Sequence, residues 1–189
     1  LSLLNSLVKD VDDYLEAYEP TRAGRAISDF VNDNLSNWYV RLNRRRFWGG
    51  GMTEDKLSAY QTLYTCLETV AKLMAPIAPF YADQLFLDLI AVTGRENVES
   101  VHLSDFPVYD ESKIDKNLEE RMQMAQDVSS MVLALRRKVN IKVRQPLQTI
   151  MVPVVDAHQQ ESIEAVKNLI LNEVNVKELK FVDNTAGIL

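Results

Sequence analysis

Apolar positions recur at helical spacing through most of the chain. Leu4, Leu7, Val11, Tyr14 (or Leu15) and Tyr18 predict an amphipathic helix over residues 2–18. Glu19-Pro20-Thr21 interrupts it, and a second helix is expected from there to about residue 46. Its stripe is Ile27, Val31, Leu35, Trp38 and Leu42. It should stop before Gly49-Gly50-Gly51, because glycine supplies the left-handed backbone on which helices end. Thr53 reads as the N-cap of a third helix, with Leu57, Tyr60, Leu63 (or Tyr64), Leu67, Val70 (or Ala71) and Met74 on one side. Ala75-Pro76-Ile77-Ala78-Pro79 is a double-proline break. A fourth helix is expected over about 80–92, ending at Gly94. Residues 95–115 carry no sustained period and read as a loop crossing the surface. A fifth helix is expected over about 116–139, with Leu118, Met122, Ala125, Val132 and Val139 on one side.

The pattern then changes. Residues 147–155 are mostly β-branched or apolar with prolines at their flanks, which suits an edge strand. Residues 159–172 return to helical spacing at Ile163, Val166 and Ile170. Val176, Leu179, Phe181 and Val182 fall in a second strand. The expected fold is mainly α. A bundle of about five helices spans residues 1–145, and a small strand–helix–strand appendage spans 146–189.

Composition narrows the class. The 189 residues are 47% hydrophobic and 25% charged, as in a globular chain. Six Gly and six Pro are too few for a turn-dense all-β fold, and one Cys excludes a disulfide framework or a Cys-rich zinc site. No apolar run reaches the roughly 20 residues that span a bilayer, so no membrane partner is expected. The start, Leu1-Ser2-Leu3-Leu4-Asn5, has no Met and no signal-peptide pattern, and reads as though cut from a longer chain. The expected setting is reducing and cytoplasmic.

Charge is unevenly placed. The net charge is −6, yet residues 34–53 and 128–155 contain no acid at all. The first stretch holds Arg41, Arg44, Arg45 and Arg46; the second holds Arg136, Arg137, Lys138, Lys142 and Arg144. Two readings stand. One is a local anion site on a repelling body. The other is cations placed at helix C-termini, where they meet the macrodipole favourably.

Catalytic constellations are missing. Gly49-Gly50-Gly51 is not followed by Lys-Ser or Lys-Thr and follows no strand, so it is no phosphate loop. His102 and His158 are far apart and in no metal-spaced cluster. Cys66 reads as a small inert helix residue. Asp12-Asp13 and Glu119-Glu120 read as solvated helix faces. The chain is expected not to be an enzyme by itself, and to hold neither cofactor nor metal.

Residues 34–48 carry the most information: Asn34-Leu35-Ser36-Asn37-Trp38-Tyr39-Val40-Arg41-Leu42-Asn43-Arg44-Arg45-Arg46-Phe47-Trp48. On a continuous helix, Asn37, Arg41, Arg44 and Trp48 share a face beside the apolar stripe. Trp38 and Leu42 then face the core, and Arg45 turns toward the core side, where a buried acid could pair with it. Guanidinium forks bind phosphate bidentately and exposed aromatics stack on unpaired bases, so this face suits a nucleic acid. The competing reading makes both tryptophans core residues and the arginines caps.

This stretch closely resembles the helical anticodon-binding domain of isoleucyl-tRNA synthetases. The resemblance continues, in order, through Lys72-Leu73-Met74-Ala75-Pro76-Ile77-Ala78-Pro79-Phe80, Glu99-Ser100-Val101-His102-Leu103-Ser104-Asp105-Phe106-Pro107 and Lys142-Val143-Arg144-Gln145-Pro146-Leu147. It covers residues from about 4 to 183. Leucyl-, valyl-, methionyl- and cysteinyl-tRNA synthetases share the architecture, and Arg44-Arg45-Arg46-Phe47-Trp48 looks most like the isoleucyl branch. The family's His-Ile-Gly-His and Lys-Met-Ser-Lys-Ser type signatures are absent from this chain.

The resemblance implies a module that binds the anticodon stem-loop of a tRNA within a longer, monomeric ligase. The parent would use ATP and magnesium to join isoleucine to its tRNA. The implied tRNA-binding residues are Asn37, Arg41, Arg44, Arg45 and Trp48 in the first basic stretch, and Arg136, Arg137, Lys138, Lys142 and Arg144 in the second. The competing functional class is a helical protein–protein interaction module, which needs an exposed apolar patch of several hundred Å².

Overall fold

The computed structural model describes residues 1–182. It consists of two compact units, Leu1–Ile114 and Asp115–Leu189. The division falls ahead of the expected boundary after residue 145, because the helix that precedes the strands packs against the helix between them. The part of the expected appendage beyond Val182 lies outside the described residues.

The first unit is helical. Helices α1 (Ser2–Glu16) and α2 (Pro20–Asp29) form an antiparallel hairpin. Helix α1 ends in a Schellman turn: the Tyr18 and Glu19 amides donate to the carbonyls of Leu15 and Tyr14, with Tyr18 at φ 58°. Pro20 opens α2 at the position where a missing N–H costs nothing. Helix α2 does not continue as an α-helix to residue 46, as the 3.6-residue period predicted. Phe30–Val40 winds as a π-helix, and after a turn at Asn43 a separate five-residue helix α3 (Arg44–Trp48) follows. Bonding from i to i+5 rotates each residue less than an α-helix does. Trp38 therefore leaves the apolar stripe and is only half-buried, while Phe30 and Leu35 are buried.

Helix α4 (Glu54–Met74) starts as expected at Thr53, whose hydroxyl accepts from the Lys56 amide at 3.2 Å. Helix α5 (Pro79–Thr93) ends at Gly94, φ 61°. One core joins Leu4, Leu7, Val8 and Val11 of α1 to Ala23, Ile27, Phe30, Leu35, Cys66, Val70 and Leu73. A second gathers Ala71, Ala75, Ala82, Phe86, Ile90 and Val101. The loop after α5 crosses the surface as expected, pinned by Asp83, which accepts from the Ser100 hydroxyl and the Val101 amide at 2.7 and 2.8 Å. These two bonds hold the Asp83 carboxyl below the usual carboxylate range.

In the second unit, α6 (Lys116–Lys138) packs on α7 (Ala157–Val174). Strands β1 (Leu147–Pro153) and β2 (Val176–Val182) pair in parallel, with Leu147 opposite Val176 and Val152 opposite Phe181. Parallel neighbours need a crossover, which α7 supplies. The strand–helix–strand expectation holds. The apolar stripe of α6 holds only in its middle: Ala125 is buried and Met122 and Val132 are half-buried, but Leu118 and Val139 are exposed, and Val128, Ser129 and Arg136 are buried outside it.

Candidate nucleic-acid interface

A five-residue helix cannot hold itself together in water. Helix α3 is held on α4 by a set of contacts along one side. The Phe47 ring is 6% exposed and meets Tyr60 and Tyr39 edge-on, with centroids 5.2 and 6.1 Å away. Burying that ring contributes about 2 kcal/mol. The Tyr60 hydroxyl donates to the Phe47 carbonyl at 3.2 Å, and the Tyr39 hydroxyl to the Ala59 carbonyl at 3.0 Å. The Lys56 ammonium donates to the Gly49 carbonyl at 2.8 Å. Position 49 has no room for a side chain, since a Cβ there would come within 2.9 Å of the Arg45 carbonyl oxygen. Gly51, at φ 66°, completes the turn into α4.

Arg46 closes the arrangement. Its Nε and Nη2 donate to the two Asp55 carboxylate oxygens at 2.8 and 2.7 Å, Nη2 also to the Asp55 carbonyl at 3.1 Å, and Nη1 to Asn43 Oδ1 at 2.9 Å. The bonds to Asp55 raise the guanidinium pKa further above its ordinary value. Asn43 in turn donates to the Tyr39 carbonyl at 2.7 Å.

The other side of α3 faces solvent. Trp48 is 73% exposed, and its ring touches only Phe47 among the described aromatics, edge-on at 6.5 Å. Arg44 and Arg45 are exposed and belong to no ion pair among the described residues. Arg45 thus departs from the expectation that it turns toward the core; the arginine that meets an acid is Arg46. Asn37 and Arg41 are exposed, and the Arg41 Nε donates to the Asn37 carbonyl at 2.8 Å. Because Asn43 separates them from α3, the single continuous face expected for Asn37, Arg41, Arg44 and Trp48 is replaced by two short segments.

The second basic stretch divides in the same way. Arg136 is 3% exposed. Its guanidinium donates to the carbonyls of Lys142, Gln145 and Asn175 at 3.2, 3.0 and 3.0 Å. It is therefore no surface cation: its two terminal nitrogens tie the 142–145 turn to the junction of α7 and β2, while its buried Nε has no acceptor among the described residues. Arg137, Lys138, Lys142 and Arg144 are exposed and in no ion pair among the described residues. Arg137 and Lys138 stand in the last turn of α6, where the macrodipole favours positive charge. Asn140, at φ 59°, closes that helix with a Schellman turn.

The remaining polar chemistry is structural. A cavity of about 200 Å³ is lined by Lys72, Pro76, Val101, His102 and Phe106. Its Lys72 is engaged by Glu96 and, at 3.8 Å, by Glu68. Cys66 is buried, which pushes its thiol pKa up and makes it a poor nucleophile. Among the described residues no group of three His, Cys, Asp or Glu is placed to hold a metal ion, and no helix is long and apolar enough to cross a membrane.

Sequence reasoning missed Arg46 and the aromatic brace of Tyr39, Phe47 and Tyr60. A usable signal was present: the basic run and the acidic first turn of α4, Glu54-Asp55, flank a glycine turn that must fold one onto the other.

Residues 1–151 match the family described as the anticodon-binding domain of tRNA ligase. The whole chain is 77% identical to part of the isoleucine–tRNA ligase of Bacteroides fragilis, covering 17% of that protein. It is 74% identical to part of the corresponding ligase of Bacteroides thetaiotaomicron, covering 16%. Over 179 residues, 95% of this chain, it is 48% identical to the isoleucine–tRNA ligase of Dehalococcoides mccartyi, covering 18%. The chain thus spans about a sixth of the length of the curated relatives it matches.

Proposed function

The chain belongs to the family of anticodon-binding domains of tRNA ligases, and on that premise we propose that it is the anticodon-reading module of an isoleucine–tRNA ligase, with α3 as its RNA-facing element. The observation that carries this reading is the division of α3 into two sides. One side is fixed by Phe47 and Arg46, and the other offers Trp48, Arg44 and Arg45 to solvent. An anticodon loop presents unstacked bases on a dense phosphate backbone. An exposed indole suits the bases, and unpaired guanidinium forks suit the phosphates. Asn37 of the π-helix and Arg41, which caps it, supply further polar groups. Arg137, Lys138, Lys142 and Arg144 supply a second cationic surface on their own unit.

In this reading the ligase reaction, with its ATP and magnesium, belongs to the rest of a longer cytoplasmic polypeptide. The described cavity does not suit a nucleotide's phosphates, because two carboxylates already hold its lysine. The test is equilibrium binding of an isoleucine-tRNA anticodon stem-loop across salt concentrations. Arg44→Ala with Arg45→Ala should weaken binding and flatten the log K against log salt slope by about 1 to 1.5, the loss of roughly two single-strand phosphate contacts. An unchanged slope and affinity would remove α3 from the interface.

A further inference from the structure

Arg44, Arg45 and Arg46 are consecutive, and a charge-based reading gives them one role. Their surroundings give them two. Arg46 spends its fork on Asp55 and Asn43 through donors at 2.7 to 2.9 Å. Little of its charge is left for a phosphate. The pair is partly solvated, with side-chain exposures of 35% and 67%. Pairs of that kind add little to global stability. What a bidentate pair does fix is geometry, since a planar fork on a carboxylate permits few orientations. Here it bridges Asn43, at the start of α3, and Asp55, in the first turn of α4, across the glycine turn.

Trp48 lies two residues beyond Arg46, is largely exposed, and among the described aromatics meets only the edge of Phe47. The pose of α3 sets the direction in which its side chain leaves the backbone, and the Phe47 edge bounds the ring on one side. We propose that Arg46 is a positioning residue for RNA recognition: gripping Asp55, it fixes α3 so that Trp48 stands out as a rigid stacking platform for one unpaired base. This rests on the reading that α3 faces RNA, and deepens it. A platform held in place before binding avoids the entropic cost of ordering it on contact.

Asp55→Asn provides the discriminating experiment, because it removes a negative charge from the domain while weakening the grip. If Arg46 served as a phosphate contact, releasing it would tighten binding. If it positions Trp48, releasing it loosens α3 and weakens binding. The 189-residue chain would be titrated with the anticodon stem-loop RNA by fluorescence anisotropy of labelled RNA, with circular dichroism melts confirming that each variant remains folded.

Trp48→Ala should lower affinity about tenfold, as expected for a lost base stack. Asp55→Asn and Arg46→Gln should each lower it on the order of fivefold, the cost of a loosened support. Neither should change the melting temperature, and Arg46→Gln should leave the salt slope unaltered. Arg46→Gln combined with Trp48→Ala should be no weaker than Trp48→Ala alone, since the two act through one contact. Tighter or unchanged binding by Asp55→Asn, or additive losses in the double variant, would overturn the positioning role while leaving the RNA reading intact. Failure of the unsubstituted chain to bind the RNA, or indifference to Trp48→Ala, would instead overturn the RNA reading and the inference with it.

Discussion

Arg46 and Arg136 sit in the two acid-free stretches of one acidic chain, and both are spent on the protein itself, but in opposite ways. Arg46 is a surface residue gripping a carboxylate, and its neighbours Arg44 and Arg45 are exposed beside it. Arg136 is buried and grips three neutral carbonyls, with its neighbours Arg137 and Lys138 exposed. In the first case solvent shields the pair, so its worth lies in orientation rather than stability. In the second the protein has removed a full charge from water. It recovers that cost through charge-assisted bonds to three backbone carbonyls, of which those of Lys142 and Asn175 also accept from the Gln145 and Leu147 amides. A run of basic residues is thus not a uniform surface: each run contains one cation that builds the support and others exposed to solvent.

The largest expected effect would test that contrast at Arg136. Arg136→Met keeps the packing volume but removes all three charge-assisted bonds, and it leaves the Gln145 carbonyl without its guanidinium donor. The unit of α6, β1, α7 and β2 should lose on the order of 3 kcal/mol in urea unfolding. Arg137→Ala with Lys138→Ala should change stability by no more than about 0.5 kcal/mol, as solvated substitutions do. Equal losses in the two variants would erase the distinction between supporting and presented cations.

A smaller effect concerns pH. The Arg46 guanidinium pKa is raised by Asp55, so the stabilisation it brings is fully present below the ordinary guanidinium value. It is lost only as pH rises through the still higher folded value. No step should therefore occur in RNA affinity between about pH 7 and 9. A step in that range, followed by stem-loop titration, would implicate a histidine or cysteine that the proposed interface does not contain.

Much of the fold was legible from periodicity. Helices α4 and α5 carry regular stripes with recognisable ends, Thr53 as a cap and Gly94 as a left-handed stop, and β1 and β2 stand out by their β-branched runs. Helix α2 was misjudged beyond Asp29 because its apolar residues fit a 3.6-residue stripe while the backbone winds as a π-helix. No composition marks that change. The candidate site was visible in the sequence as two basic stretches, but not which of their cations are tied to the protein. Arg136 looked like any C-terminal helix cation, because its three acceptors come from residues 142, 145 and 175, which only tertiary structure brings to it. The contact with an acid expected of Arg45 is made by Arg46, because α3 restarts after Asn43, and the acid is the exposed Asp55 rather than a buried one.

Ultraviolet cross-linking of the chain to an isoleucine-tRNA anticodon stem-loop, with the attached peptide mapped by mass spectrometry, tests the central claim most directly. The account expects the dominant adduct within residues 44–48, on Trp48, and its loss in Trp48→Phe with Arg44→Ala. Adducts confined to α5 or to the 147–182 strands, with none on α3, would contradict it.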